Sequence, residues 1–343
     1  MIYFADGAQI TASLPSDKRL DGVVSGTSGK QGIFLDGVRQ TGSGGGADTT
    51  LFITEWTVAG ADTLTMPTTG SGYSGTVTWK DSLGATVSTG AFTDGDMTPL
   101  QAIAVDGVNS PYTCEISGDF PRVYFNSGGD RLLITDVKQW GDIAWSSMFG
   151  AFSSCTNLTI TATDTPDLST CTSLGYAFFT IPSFNSDNLV NWSVGNITDF
   201  SRMCQSNSSF DVDLSGWDMS SATTCYSMLQ GTSFNHSINS WTFGANCNLQ
   251  YMLFINTSFD QDCGDMDLAN VGSMNGMMQG CTLSTANYDA TLNGWKAQVE
   301  ANSDTPASIS FHGGNSNYST AGQTAHNYLT GTASWTITDG GLA

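Results

Sequence analysis

The sequence predicts a mainly β protein with short helices. An N-terminal extended arm (1–49) leads into a β-sandwich (50–139), then a solenoid of ~25-residue coils (140–282) and a C-terminal capping region (283–343). Three observations lead there. Glycine supplies 39 of 343 residues and charged residues only 12%, so the surface is built from Ser, Thr, Asn and Gly, as in turn-rich β proteins. Turn signals recur about every ten residues between 50 and 139. From Trp140 onward, large apolar residues return at a fixed interval.

The arm alternates short β-like pieces, "MIYFADGAQITASL" and "GIFLDGVRQ", with Gly/Ser breaks and ends in "TGSGGGADTT", a flexible joint. With Lys18, Arg19, Lys30 and Arg39 it is mixed in charge and too short to fold alone, so it is expected to anchor on a partner surface. No basic stretch followed by an apolar run opens the chain, so no secretory signal is expected. No window approaches a membrane-spanning apolar length.

In 50–139, "LFITEWTV", "TLTMP", "GTVTWKDSLGATVSTG", "YTCEISG", "RVYFNS" and "RLLITDVKQW" read as short alternating strands between Gly, Asp and Pro turns. Trp79 and Tyr112 are expected to pack there rather than hold a ligand.

Three columns run through the repeat. Phe184, Phe210, Phe234, Phe259 and Leu283 recur at spacings of 26, 24, 25 and 24. Trp192, Trp217, Trp241 and Met266 keep the same clock, as do Ala177, Met203, Met228, Met252 and Met277. "SSMFGAFSSCTNL" (146–158) is a first turn of the series. One coil cannot bury such groups, but stacked neighbours can, at about 2–3 kcal/mol for each Phe removed from water. Within a coil an extended piece is expected near "DLSGWD", a helical turn near "TTCYSMLQ", and a bend at "GTSFN".

"SFNSDNLVNWSV", "SFDVDLSGWDMSSATTCYSMLQGTSFN" and "SFNHSINSW" resemble the repeats of BspA-type leucine-rich-repeat surface proteins, and "LSTANYDATLNGWKAQ", "ISFHGGNSNYS" and "WTITDGG" resemble that family's cap. The likeness covers about 130–343. It implies a leucine-rich-repeat-like solenoid, a role in adhesion at a bacterial surface, and no shared catalytic apparatus. The family's Met-Phe pair becomes Met203-Cys204, Met228-Leu229, Met252-Leu253 and Met277-Met278. The preceding domain is similar to an Ig/PKD-like sandwich, with "WKDS" at 79–82 where that family has W-G-D-G.

The net charge of −21 is uneven: from Trp140 to Ala343 there are 16 acidic residues and two basic ones, Arg202 and Lys296. A nucleic-acid partner is not expected, since phosphate binding needs clustered Lys and Arg. The eight cysteines (114, 155, 171, 204, 225, 247, 263, 281) lack CxxC spacing and read as small core residues. His236, His312 and His326 lie in separate segments without triad partners. "FDVDLSGWD" and "FDQDCGDMD" place carboxylates at alternate positions, as calcium loops do. Asp260, Asp262, Asp265 and Asp267 are therefore calcium candidates, although turn-forming Asp residues give the same pattern.

The expectation is a non-enzymatic, surface-exposed structural or adhesion protein. Its leading form is a bacteriophage virion component, a capsid decoration or tail fibre on the virion surface. The arm would hold other virion proteins, and the coils would meet a host-surface glycan or protein. Homo-oligomers, trimer or array, suit such a part. The alternatives are a bacterial cell-surface adhesin and, least favoured, a glycan-degrading enzyme.

Overall fold

The computed structural model describes residues 34–35, 38–39, 48–301 and 308–343. The chain divides into two units, Met1–Ala47 and Asp48–Ala343. In the first, β1 (Phe34–Leu35) and β2 (Val38–Arg39) pair antiparallel, Phe34 opposite Arg39. Apart from residues 48 and 49, the rest of the expected anchoring arm lies outside the described residues.

Period-two burial builds the sheet of the second unit. In β3 (Phe52–Trp56), Phe52, Thr54 and Trp56 face inward, and the buried Thr54 Oγ1 accepts from Trp56 Nε1 at 2.8 Å. Then follow β4 (Asp62–Leu64), β5 (Ser74–Lys80), β6 (Thr86–Thr93), β7 (Ile103–Val105), β8 (Tyr112–Asp119), β9 (Ile134–Gln139) and β10 (Thr159–Ile160). Six of these form one open sheet in the order β10-β9-β3-β8-β5-β6, antiparallel except for the parallel β9–β10 pair; β4 and β7 form a separate two-stranded ladder. Trp79 and Tyr112 are buried.

The expected Ig/PKD-like β-sandwich is therefore corrected. A closed sandwich needs two face-to-face sheets, whereas one open sheet takes most strands here and recruits β10 from beyond residue 139. "RVYFNS" is not a strand; Tyr124 N–H bonds Pro67 O, and Phe125 and Asn126 bond Ala151 and Gly150. Sheet and repeats share one buried cluster, in which Phe52 meets Trp140 at 6.0 Å and Trp145 edge-on at 5.0 Å, and Trp140 meets Trp192 at 5.4 Å.

Beyond residue 145 each coil hydrogen-bonds the next in register. Met148 N–H bonds Ser173 O, Leu174 bonds Asp199 O, Phe200 bonds Thr224 O and Cys225 bonds Asn248 O, all at 2.9 Å. Yet coils meet through single-residue parallel bridges (Ser173–Asp199–Thr224–Asn248) and one short parallel pair, β11 (Cys247–Asn248) with β12 (Val271–Ser273). This corrects the expected leucine-rich-repeat-like solenoid: no continuous, curled sheet lines the coils. The backbone explains why. Tyr176 and Thr180, Arg202 and Ser206, Ser227 and Gly231, Tyr251 and Ile255, and Gly276 and Gly280 are left-handed pairs four residues apart. Each non-glycine member costs roughly 1 kcal/mol, and the reversals break both the extended run and the helical turn expected near "TTCYSMLQ". Inter-coil bonds such as Tyr176 N–H to Ser201 O and Thr180 N–H to Gln205 O hold them.

The cap is helical, so the expected mainly β class with short helices gives way to a mixed α/β one. Helix α1 (Thr285–Ala301) buries Tyr288, Thr291, Leu292 and Trp295 on one face. That face closes the last coil, whose backbone groups have no further coil to bond. Trp295 Nε1 donates to Cys263 O at 2.7 Å, Gln298 Nε2 to Gly264 O at 2.7 Å and Met266 O at 3.0 Å, and Thr291 Oγ1 accepts from Cys263 N–H at 2.9 Å. A Cβ on Gly294 would lie 2.5 Å from Gly264 Cα, so close packing requires glycine here. Strands β13 (Ser310–His312) and β14 (Asn317–Tyr318), helix α2 (Thr320–Gly331), and β15 (Thr336–Thr338) and β16 (Gly341–Leu342) complete it, β13 parallel to β15 and β14 to β16. Ser319 caps α2 by accepting from Ala321 N–H at 3.0 Å.

Candidate functional site

The named columns lie inside the coils. Phe184, Phe210, Phe234, Phe259, Met203, Met228, Met252 and Met277 are all buried; Phe184 stacks on Phe210 with an 8° interplanar angle and Phe234 on Phe259 with 9°. Trp192, Trp217 and Trp241 are buried too, their indole N–H groups donating to Asn188 Oδ1, Leu189 O and Leu214 O at 2.9, 2.9 and 3.2 Å. None of these side chains is free to meet a partner.

The residue after each column Phe forms a polar ladder. Asn185 Oδ1 accepts from Asp211 N–H, Asp211 Oδ1 from Asn235 N–H and Asn235 Oδ1 from Asp260 N–H, each at 2.9 Å; Asp260 Oδ1 accepts from Ser284 N–H at 2.7 Å. Burial raises the Asp260 carboxyl, but the Ser284 N–H and the Asn287 amide outweigh it, and the group lies below its ordinary value. Asp262 Oδ1 accepts from Gly264 N–H at 2.7 Å and Asp267 Oδ1 from Ala269 N–H at 2.9 Å, while the Asp265 N–H donates to Asn239 Oδ1 at 3.1 Å. The carboxylates of Asp260, Asp262 and Asp267 serve backbone turns and rungs, and Asp265 joins through its backbone N–H. Among the described residues no group of three or more His, Cys, Asp or Glu is placed to hold a metal ion. The melting temperature is expected to move by less than about 1 °C between millimolar calcium and chelator, because a ligand stabilises only by binding the native state; a larger rise with calcium, read by differential scanning calorimetry, would restore the calcium site.

The histidines stay apart. His236 Nε2 lies 3.1 Å from Asp211 Oδ1 on the surface, and the His312 ring Nδ1 accepts from Gly314 N–H. His326 stacks on Tyr318 at 4.4 Å, with Nε2 3.5 Å from Asp339, which also accepts from Tyr288 OH at 2.7 Å. All eight cysteines are buried free thiols; burial pushes Cys281 up to about 12. In Cys225, a hydrogen bond with Cys247 and then burial raise the thiol. None of these is poised as a nucleophile.

What the coils do present is a strip of half-buried rings. Phe149 meets Tyr176 at 5.4 Å, and Tyr176 meets Phe179 at 5.3 Å. The Arg202 guanidinium lies 5.5 Å from the Tyr176 centroid and 5.3 Å from that of Tyr226. Tyr226 meets Tyr251 edge-on at 5.9 Å, and Tyr251 meets Phe254 at 5.5 Å. Ser173, Asp199, Ser201, Thr224, Asn248 and Gln250 lie beside it as partly exposed polar groups. Column reading misses this strip because its central members, Tyr176, Arg202, Tyr226 and Tyr251, sit one or two places before the buried column. Tyr176 precedes Ala177, Arg202 precedes Met203, Tyr251 precedes Met252, and Tyr226 stands two before Met228. The available signal is an aromatic or Arg recurring beside the apolar clock.

No helix among the described residues is long and apolar enough to cross a membrane. No curated protein and no solved structure matches the chain. Residues 146–254 and 231–312, which are the coils and the start of the cap, are similar to a family whose model is described as a Mycoplasma protein of unknown function, DUF285.

Proposed function

We propose that this chain is a non-enzymatic attachment protein that presents its stacked coils to a host-surface glycan or protein. The observation that carries the reading is the ring strip, which leaves aromatic surface half-exposed across successive coils while the Phe, Trp and Met columns of those coils are buried. Aromatic residues are over-represented where proteins meet partners, and regular coils offer an extended contact surface. The repeat words shared with BspA-type surface proteins support the same role. Its leading setting is a bacteriophage virion, as capsid decoration or tail fibre, with residues 1–49 joining other virion proteins; the resemblance favours a bacterial cell-surface adhesin as the second setting. Mass spectrometry of purified particles and of the cell envelope separates them. Stoichiometric recovery in particles is the expected result, and recovery in the envelope alone assigns the adhesin. Labelled protein is expected to bind host cells saturably, and failure to do so overturns attachment.

A further inference from the structure

Arg202 is one of two basic residues beyond residue 139, in a stretch holding 16 acidic ones. The other, Lys296, is paired with Glu300. Arg202 has no ion pair and no side-chain hydrogen bond among the described residues. Asp199, in the same coil, does not neutralise it. That carboxylate accepts from Ser173 Oγ at 2.8 Å and from Ser201 N–H and Oγ at 2.9 and 2.6 Å. The guanidinium instead lies beside the Tyr176 and Tyr226 rings. Ring contact engages the faces of the planar group and leaves its N–H donors, arrayed for a carboxylate, unspent.

Three properties of the strip select a ligand. Successive coils are spaced like neighbouring strands, about 4.8 Å apart, a step comparable with the length of one hexose unit, and Tyr176, Arg202, Tyr226 and Tyr251 stand on four successive coils, so a chain laid along the strip passes one of them at each step. Ring faces take the C–H faces of sugars, and the adjoining Ser, Thr, Asn and Gln side chains offer hydrogen bonds to hydroxyls. The single cation supplies one anion contact, while the surrounding carboxylates repel a densely charged polymer.

Resting on the attachment reading, we propose that the Tyr176–Arg202–Tyr226–Tyr251 strip binds a largely neutral glycan chain bearing sparse carboxylates, one of which pairs with the Arg202 guanidinium.

The full chain is tested by calorimetry and glycan array against glucuronoxylan, a sialylated lactosamine oligosaccharide and hyaluronan, each beside its carboxyl-reduced form, with polygalacturonate as the dense polyanion. At least one sparsely acidic probe is expected to bind, and to lose about tenfold or more in affinity when its carboxylates are reduced, the scale of a hydrogen-bonded charge contact. Arg202→Gln is expected to lower affinity for the acidic form to that of the reduced form and leave the reduced form unchanged. Tyr251→Ala is expected to weaken both forms alike. Arg202→Lys, which keeps charge but not the planar fork, is expected to fall between. Melting temperatures of the variants within a few degrees of wild type show that the fold persists.

The proposal is overturned if no sparsely acidic probe binds, if reduction of the carboxylates changes nothing, if polygalacturonate binds best, or if an acidic peptide competes as well as the glycan. Host-cell binding separates this failure from that of attachment. Cells that bind wild type and Arg202→Gln equally sink the strip and leave attachment standing; Arg202-dependent glycan binding without cell binding does the reverse.

Discussion

Trp241→Ala is expected to destabilise the protein by about 3–5 kcal/mol, the range for emptying a large aromatic site in a core. Trp241 is fully buried, and its indole N–H donates to Leu214 O one coil back at 3.2 Å. Its rings of contact, Phe234 and Phe243 at 6.5 Å each, belong to the same coil. Its own carbonyl accepts from Asp267 N–H of the following coil at 3.2 Å. Collapse into the cavity would therefore have to move three coils whose backbones are bonded to one another in register. Little relaxation is available, which places the cost toward the upper end of the range. Trp241→Phe keeps most of the volume and leaves Leu214 O without its donor, so a loss of about 1–3 kcal/mol is expected. Urea denaturation followed by far-ultraviolet circular dichroism measures both. A Trp241→Ala loss of only about 0.5 kcal/mol, the scale of a surface change, would show that cohesion between coils does not reside in the Trp column.

How much of this was legible in the sequence depends on the length scale of the cause. The apolar clock is local, since every coil must place its own Phe, Trp and Met, and Phe184, Trp217 and Met252 could be named from spacing alone. The sheet was not legible in the same way. Turn spacing marks where strands stop but carries nothing about which strands pair, and the β9–β10 pairing joins the sheet to the first coil. Of the calcium candidates only Asp260 belongs to the ladder after the Phe column, and spacing alone does not separate a ladder rung from a metal ligand, because both roles need an oxygen acceptor. Asn185 and Asn235 alternating with Asp211 and Asp260 is the clue, since an amide serves a backbone N–H as well as a carboxylate does. The stretch that forms helix α1 was assigned to the cap, but neither its helix nor its purpose was read. That Tyr288, Thr291, Leu292 and Trp295 share a face is visible, but that Trp295, Gln298 and Thr291 satisfy the last coil requires knowing where the coils end. The left-handed pairs were hidden as well. Only Gly231, Gly276 and Gly280 announce them, while Tyr176, Arg202 and Tyr251 adopt the same backbone under tertiary constraint.

Asn207→Leu is expected to cost about 2–6 kcal/mol, from two buried backbone groups left without partners at about 1–3 kcal/mol each. Asn207 is fully buried; its Oδ1 accepts from Ile181 N–H at 2.6 Å and its Nδ2 donates to Phe178 O at 2.7 Å. The two groups it serves flank Thr180, whose left-handed backbone turns them away from the ordinary inter-coil ladder. Leucine fills nearly the same space, so a large loss isolates the hydrogen bonds from the packing. Asn207→Asp sharpens the test. A carboxylate still accepts from Ile181 N–H but faces Phe178 O without a proton, and burial beside that carbonyl raises the introduced group's folded-state pKa above its unfolded value. In the protonated form it can donate to Phe178 O. Its stabilising contribution is thus fully present below the unfolded pKa and is lost as pH rises through the raised folded value. Asn207→Asp should therefore lie closest to wild type in mild acid and fall furthest behind it at neutral pH, whereas the Asn207→Leu deficit should not depend on pH. Paired urea titrations at pH values spanning that window read the difference directly. A pH-independent Asn207→Asp deficit, or a leucine variant as stable as wild type, would mean that Ile181 N–H and Phe178 O find other partners and that the buried amide is not what joins these two coils.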